Sequence, residues 1–527
     1  MSTQTLSVPR EAASARVVTD APAATRKARA GLAMSLATFS MAAASGIQAV
    51  LYLGRFGTNA RTDGFFVAFA LYSTFGVFSQ SLRVTSVPML VPPGARLSLS
   101  RFAAVLGCVG FVVIVLTCPL AGPLSHLLAP GLGSSGRSVT AAALPVLGVA
   151  MTLQLVASGG ATVLAIRDRF TTIAGAYMSG AAAGLIVFLA LMETAGVQTL
   201  GWSMLAMSIV TSGWMLAGLA RSGGLGRDTA VGGVRVRTHI AGLARDCGLV
   251  LGRTSIYLMF NVLFVITLAF VSRSVAGGTT VLSYSYLFAS YLVAGTGMAL
   301  GMSSIPDMTR EARTQPGATV AATVPRGFRY AMLIVAPALA ALIVCGAPLV
   351  HDVLPSSLSG AQVHTLRTFT ALLVAWTLAA LLVNFLLPVL LALGRARLLG
   401  ALAVPLVVVH LAATAAGTAL FGVDGAVGAF WVAPALLAAV LIVAGAGRSH
   451  ADPLARELAV DALRFTGLAA LAFGAGWAVA HALPAGLAQA AVAGMLGTLL
   501  YLAGLRLVAR PQLEMLLRTV NVRVAPA

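Results

Sequence analysis

Long apolar runs parted by short loops fill this chain and leave it few folds to choose from. They lie at roughly 30–54, 63–91, 101–120, 139–166, 171–192, 199–220, 247–271, 281–305, 328–346, 365–392, 398–420, 424–446, 463–482 and 485–507. Almost every run can cross ~30 Å of hydrocarbon as an α-helix. In that medium the backbone must satisfy its own polar groups, within a helix or around a closed barrel. The alternating ten-residue segments of a barrel are absent. Only 9% of the 527 residues are charged and 59% are hydrophobic. A soluble domain carries roughly 25% charged residues, so this chain has too little polar surface to cover a soluble globule. The sequence predicts an all-α integral membrane protein with about fourteen transmembrane helices.

The formal net charge of +19 invites a nucleic-acid reading, but the placement of the charge favours membrane topology. With the N-terminus inside, 27 of the 34 Lys and Arg residues fall in inside segments. Arg55, Arg61, Arg137, Arg273 and Arg367 fall in outside loops, while Arg83 and Arg253 fall within spans. A wrong span count would scramble this alternation. Basic residues gather on the cytoplasmic side, so both termini are expected in the cytoplasm and the chain in the inner (cytoplasmic) membrane. The first 26 residues are polar and rich in Ala, Ser and Thr; they read as a cytoplasmic tail rather than a cleaved signal. Cys108, Cys118, Cys247 and Cys345 are far apart with no C-x-x-C pair, which gives neither a metal site nor a disulfide framework. No phosphate loop, nucleotide fold or catalytic triad is present, so no cofactor, no ATP hydrolysis and no enzyme activity are expected.

The two halves repeat. Ser86-Val87-Pro88 matches Ser304-Ile305-Pro306. Pro123-Leu124-Ser125-His126 matches Pro348-Leu349-Val350-His351. Leu164 to Arg169 matches Leu391 to Arg397. The offsets are 218, 225 and 228, in order along the chain. Three matches in register argue for duplication of a six-span unit. Six is even, so the two units share one orientation and are related by an axis along the membrane normal, an arrangement that holds substrate between the halves. The expected division is a disordered cytoplasmic tail at 1–29, an N-terminal six-helix bundle at 30–220 and a cytoplasmic linker at 221–246. A C-terminal six-helix bundle at 247–446 follows, then a linker with helices 13 and 14 at 447–507, and a cytoplasmic tail at 508–527.

Polar residues inside spans are costly and face a cavity or another helix. In span 2, Ser73, Gly76, Gln80 and Arg83 share one helical face. Span 8 carries Ser283, Tyr286, Ser290, Ala294, Gly297, Gly301 and Ser304 at spacings of three and four; span 7 carries Arg253, Tyr257 and Asn261; span 1 carries Ser45, Gln48 and Tyr52. These stripes mark a central cavity lined by spans 1, 2, 7 and 8. Close helix packing is the competing reading of the small residues, and snorkelling to the interface that of Arg253 and Arg83. No Asp or Glu lies in the middle of any span. Cation-coupled export usually needs a buried carboxylate, whereas arginines suit an anionic group such as a phosphate. Asp63, with Thr62 beside it, reads as the N-cap of span 2. His410 stands alone in span 11 and reads as a packed, hydrogen-bonded residue.

Arg55-Phe56-Gly57 followed by Thr62-Asp63-Gly64-Phe65-Phe66-Val67-Ala68-Phe69 resembles the second-span signature of the MurJ/MviN lipid II flippases. Val281-Leu282-Ser283-Tyr284 with Gly297-Met298-Ala299-Leu300 and Pro306 resembles that family's eighth span. Phe328-Arg329-Tyr330 through Pro337 to Ala347-Pro348-Leu349 resembles its ninth, and Arg169-Phe170 fits after span 4. The resemblance implies the multidrug/oligosaccharidyl-lipid/polysaccharide (MOP) exporter fold shared with MATE transporters. It implies alternating access that moves a polyprenyl-pyrophosphate-linked peptidoglycan or polysaccharide precursor outward, with cell-wall synthesis proteins as partners. The chain departs from the pattern: it has no arginine between Gly31 and Gly54, where the family carries two. Gln48 falls near one of those places, Tyr286-Leu287 near the span-8 arginine and Gly76-Val77 near the span-2 arginine. Either Arg253 and Arg83 take over the anionic contact, with Gln48, Gln80, Tyr257, Asn261, Tyr286 and Ser290 lining the cavity, or the cargo differs. Three functions stand: a glycolipid flippase, a small-molecule exporter of the same fold, and a scaffold that transports nothing.

Overall fold

The computed structural model describes residues 43–90, 97–167, 169–222, 240–273, 277–293, 316–353, 360–484 and 486–510, with single positions 37, 40, 41, 296 and 514. Its regular elements are helices: α1 at 43–56, α2 Ala60–Leu90, α3 Leu99–Thr117, α4 Ala121–Leu128, α5 Ser134–Ile166, α6 Phe170–Leu191, α7 Thr199–Arg221, α8 Ile240–Val271, α9 Gly278–Val293, α10 Pro316–Val353, α11 Gly360–Ala392, α12 Ala396–Gly428, α13 Val432–Ala446, α14 Arg448–Ala480 and α15 Leu487–Val508. Apart from the two-turn α4, these are the fourteen expected helices. Ten stretches among the described residues are long and apolar enough to cross a membrane. One of them, Arg397–Ala446, is a hairpin. Gly422 turns it with φ 64° and ψ −142°, a left-handed conformation open to glycine, and the backbones of Gly417 and Gly425 touch across the turn. Large apolar side chains such as Phe111, Val404, Leu471 and Leu499 stand exposed on the outside, a surface suited to lipid rather than water.

Two six-helix bundles form, α1–α3 with α5–α7 and α8–α13, and α14 and α15 pack on α10. The parallel repeat is visible in the contacts themselves. Thr62 and Thr280, 218 residues apart, bring their hydroxyls within 3.4 Å. Phe66 and Tyr284, also separated by 218, have ring centroids 5.1 Å apart. A residue and its repeat mate can touch only on the symmetry axis. The offset read from the Pro88 and Pro306 motifs therefore locates the pseudo-twofold axis between α2 and α9.

Three helices start well before their expected spans: α8 at Ile240, inside the expected linker, α10 at Pro316 and, furthest, α14. The segment before span 13 is not a loop, because α14 starts at Arg448. Leu454, Leu458, Asp461 and Phe465 are buried at helical spacing, and Arg329 of α10 holds Glu457 and Asp461 at 2.6 Å each. Its charged face dilutes the apolar signal without lowering helix propensity.

Close backbone approach fixes the N-terminal bundle. A Cβ at Gly64 of α2 would collide with the carbonyl of Gly136 on α5. Gly64→Ala is expected to cost about 1–3 kcal/mol by forcing the helices apart. The melting temperature of the detergent-solubilised chain should fall, and an unchanged melt would refute this packing.

Candidate functional site

The helices α1, α2, α8 and α9 meet where the bundles face each other. At one end of this interface α2 begins. Its own N-terminus is capped by Asn59: Oδ1 accepts from the N–H groups of Arg61 and Thr62 at 2.9 and 3.2 Å, and the N–H of Asn59 donates to Thr62 Oγ1 at 2.8 Å. This reciprocal pair is a capping box in all but residue type. Asp63 is therefore not the cap of α2. It is fully buried and reaches across to the other bundle. Its Oδ2 accepts from the Gly277 N–H at 2.6 Å, and its Oδ1 accepts from the Thr280 N–H at 3.0 Å and the Thr280 hydroxyl at 2.7 Å. Gly277 precedes α9 and has no side chain to cap it, so Asp63 supplies the cap from the other half. A carboxylate there also complements the positive end of the helix dipole.

Aromatic rings surround this latch. Phe66 meets Tyr284, whose hydroxyl donates to the Ala49 carbonyl at 3.2 Å. Phe65, Phe66 and Tyr52 lie within 5.8 Å of one another, and Phe69 stacks on Phe65. The Thr62, Asp63, Phe65, Phe66, Phe69 motif thus builds a dry closure with one polar clasp.

The opposite end is rich in arginine. There Arg101, at the start of α3, pairs with Asp246 of α8 through Nε and Oδ2 at 2.7 Å. Phe78, Leu82, Leu97, Phe102, Val105 and Leu155 of the first bundle pack with Val250 of the second. Cys108 and Cys247 sit side by side across the same seam, although nothing in their sequence spacing pairs them. A cavity of about 440 Å³ opens beside the ion pair, lined by Arg101, Arg245, Asp246, Leu249 and Arg397. Another, lined by Arg169, Trp214 and Arg221 among others, belongs to the first bundle alone.

The residues expected to line a cavity separate into groups. Half-buried at mid-height stand Ser73, Gly76, Tyr257 and Ser290; the Ser290 hydroxyl donates to the Leu287 carbonyl. Arg253 is half-buried on α8, one turn beyond Leu249, and is engaged with its surroundings. Asn261 is buried. Gln48 is turned into its own bundle, where Nε2 donates to Ser203 Oγ at 2.9 Å. Tyr286 likewise points into the second bundle and stacks on Phe264 at 4.1 Å, with Trp376 and Phe430 adjacent. The side chains of Gln80 and Arg83 lie outside the described residues, as do Ala294, Gly297, Gly301, Ser304 and Pro306. His410 is a packed residue as expected, sharing Nε2 with Thr267 Oγ1 and the Leu263 carbonyl at 3.0 Å each. Among the described residues no group of His, Cys, Asp and Glu is placed to hold a metal ion.

This is a two-bundle, all-α membrane architecture, and comparison with solved structures finds the same fold. The chain matches the lipid II flippase MurJ in its inward closed conformation, with a TM-score of 0.69 at 13% identity over 91% of this chain and 99% of that one. It also matches an inward-facing MATE family transporter of the MOP superfamily (TM-score 0.58, 15% identity, 80% and 99% covered). A third match is the Vibrio cholerae MATE transporter VcmN in its bent form (0.52, 12%, 82% and 99%). No family model and no curated protein matches the sequence. What the chain shares with all three is the fold.

Two measurements check the closures. Copper-phenanthroline oxidation should link Cys108 to Cys247, read as a disulfide-joined peptide pair by mass spectrometry; a chain left unlinked would contradict the seam. Asp63→Ala strands two buried N–H groups, each worth about 1–3 kcal/mol. Deuterium uptake over 277–284 should rise several-fold, and uptake equal to the parent's would mean that Asp63 clasps nothing.

Proposed function

We propose that the chain is a flippase. It moves a polyprenyl-phosphate- or pyrophosphate-linked glycan precursor across the inner membrane by alternating access, with its arginine-rich end and both termini in the cytoplasm. The observation that carries this reading is the pairing of two polar closures, Asp63 with Gly277 and Thr280 at one end of the bundle interface and Arg101 with Asp246 at the other. Opening one while the other holds gives access from one side at a time, and the half-buried mid-height stripe between them is where cargo would lie.

Charge supports an anionic cargo. Among the described residues of α1, α2, α8 and α9 the only carboxylates are Asp63 and Asp246, and both are engaged in the closures. None is left at mid-height to carry a proton or sodium, whereas Arg253 lies between the closures. The likeness to MurJ is consistent with a lipid-linked substrate, and cell-wall synthesis proteins are then natural partners.

A second reading, export of a small molecule in the manner of a MATE transporter, is favoured by one detail. Gln48, near a place where the resembling family has an arginine, is bonded to Ser203 within its own bundle.

Proteoliposome flipping assays with several polyprenyl-linked glycans separate the two. The first reading expects outward movement of at least one such lipid, lowered roughly tenfold by Arg253→Ala if it grips a phosphate, with normal insertion of the variant. No movement of any polyprenyl-linked substrate, alongside export of an organic solute, would replace the first reading with the second.

A further inference from the structure

The cavity at the arginine-rich end is built from three separate elements. Arg245, Asp246 and Leu249 come from the start of α8, Arg397 from the start of α12 and Arg101 from the start of α3. Their convergence has causes in the sequence. Gly400 of α12 lies against the Gly252 carbonyl of α8, so closely that a Cβ there would stand 2.8 Å from the oxygen. This contact sets Arg397 level with Leu249, and Arg245 is one helical turn from Leu249 on the same face. Arg101 is drawn in from the other bundle by Asp246, whose side chain is only 8% exposed.

The charges do not balance. Three guanidinium groups share one carboxylate, and among the described residues Arg245 and Arg397 meet no acid. Arginine presents a planar fork of donors that fits phosphate oxygens in pairs. A volume of about 440 Å³ falls within the ordinary range of ligand pockets. Among the described residues the lining contains no aromatic ring and one apolar side chain, which suits a charged headgroup rather than a greasy solute.

We propose that this cavity is an entry site for a phosphate or pyrophosphate group, and that the bound anion displaces Asp246 from Arg101 and so releases the seam at this end. Asp246 is the built-in stand-in for the ligand: in the closed chain it occupies one of three arginines and leaves two free to make first contact. Because Arg101 and Asp246 belong to different bundles, exchanging the internal carboxylate for an external phosphate converts binding energy into separation of the halves. This deepens the transport reading and rests on it for the nature of the cargo; the anion site itself does not require it. The phosphate arrives on a lipid headgroup or free in solution.

The test uses the full chain in phosphatidylcholine nanodiscs. Inorganic pyrophosphate is titrated by calorimetry, and polyprenyl pyrophosphate is incorporated in a second set of discs and detected by native mass spectrometry. The parent should bind. The double variant Arg245→Gln/Arg397→Gln should bind roughly tenfold more weakly; both residues are exposed, and an unchanged melting temperature excludes misfolding. Asp246→Asn should bind several-fold tighter, because the competing carboxylate is gone. Pyrophosphate should also slow oxidative linkage of Cys108 to Cys247 in the parent but not in the double variant. Binding in both arms with mutual competition supports the site for either source, and binding of the polyprenyl form alone, lost in the double variant, assigns it to a lipid headgroup. Binding of neither anion, equal affinity in the double variant, or weaker binding in Asp246→Asn overturns the proposal. Pyrophosphate binding without any lipid transport would remove the lipid cargo and leave the site standing. Lipid transport at parental rate in a double variant that no longer binds pyrophosphate would remove the entry site and leave the flippase reading standing.

Discussion

One buried carboxylate joins the two halves at the end where α2 and α9 begin. Asp63 accepts two backbone N–H groups and one hydroxyl from the sister bundle, and the first N–H groups of any helix have no partner within it. Losing this clasp in a dry, aromatic environment strands those donors, at about 1–3 kcal/mol for each. The total is a few kcal/mol, the scale that separates two interconverting conformations rather than a permanent weld. Release also requires water or new partners to reach the donors. The ring packing of Phe66 and Tyr284 governs that access, so the hydrogen bonds and the hydrophobic closure must open together.

The interface is symmetric where Phe66 meets Tyr284 and Thr62 meets Thr280, and asymmetric at the Asp63 clasp. Phe66 faces its own repeat mate, Tyr284, and the packing tolerates the exchange of one ring for another. Hydrogen bonding is directional and saturable. Asn59 caps α2 from within its own sequence, whereas the repeat-equivalent position before α9 is Gly277, which cannot. The mate of Asp63 is Val281, which offers nothing in return. Duplication supplied the two-fold shape, and divergence at two positions turned a symmetric contact into a single directional latch.

The spans, the repeat and the break between spans 398–420 and 424–446 were legible in the sequence because each is a local or periodic signal. Runs of apolar residues and motif pairs at offsets of 218, 225 and 228 survive without knowledge of the fold. Helical spacing likewise places Ser73 and Gly76 on one face of α2. Direction was harder. Gln48 and Tyr286 lie on the expected helices but turn inward to Ser203 and to the Phe264, Trp376 and Phe430 nest, and choosing between two neighbours of a helix needs tertiary contacts. The role of Asp63 was hidden because a cap is ordinarily sought a few residues downstream, not across more than two hundred. Arg101, Asp246 and Arg397 looked like ordinary charged residues at span ends, and only the fold shows that three helix starts converge. The start of α14 was hidden by its own charge, which interrupts hydropathy without interrupting the helix.

The two closures differ in chemistry, and that difference gives the proposed cycle an order. At the Arg101 end the bond is an ion pair in which the cation is 44% exposed, so an anion can compete for it and dissolved salt can weaken it. At the Asp63 end the bond joins a carboxylate to neutral donors. An approaching anion finds no cation within that bond to capture and is repelled by the carboxylate already in place. An anionic cargo that enters from the arginine-rich side therefore loosens the near closure while leaving the far one intact. Opening the far closure takes something else: a shift of α2 against α9 that carries Asp63 away from Gly277. The cargo can favour that shift only by binding the resulting state better than the first. Two identical ion pairs would answer the anion equally and open a leak; one ion pair and one helix cap do not.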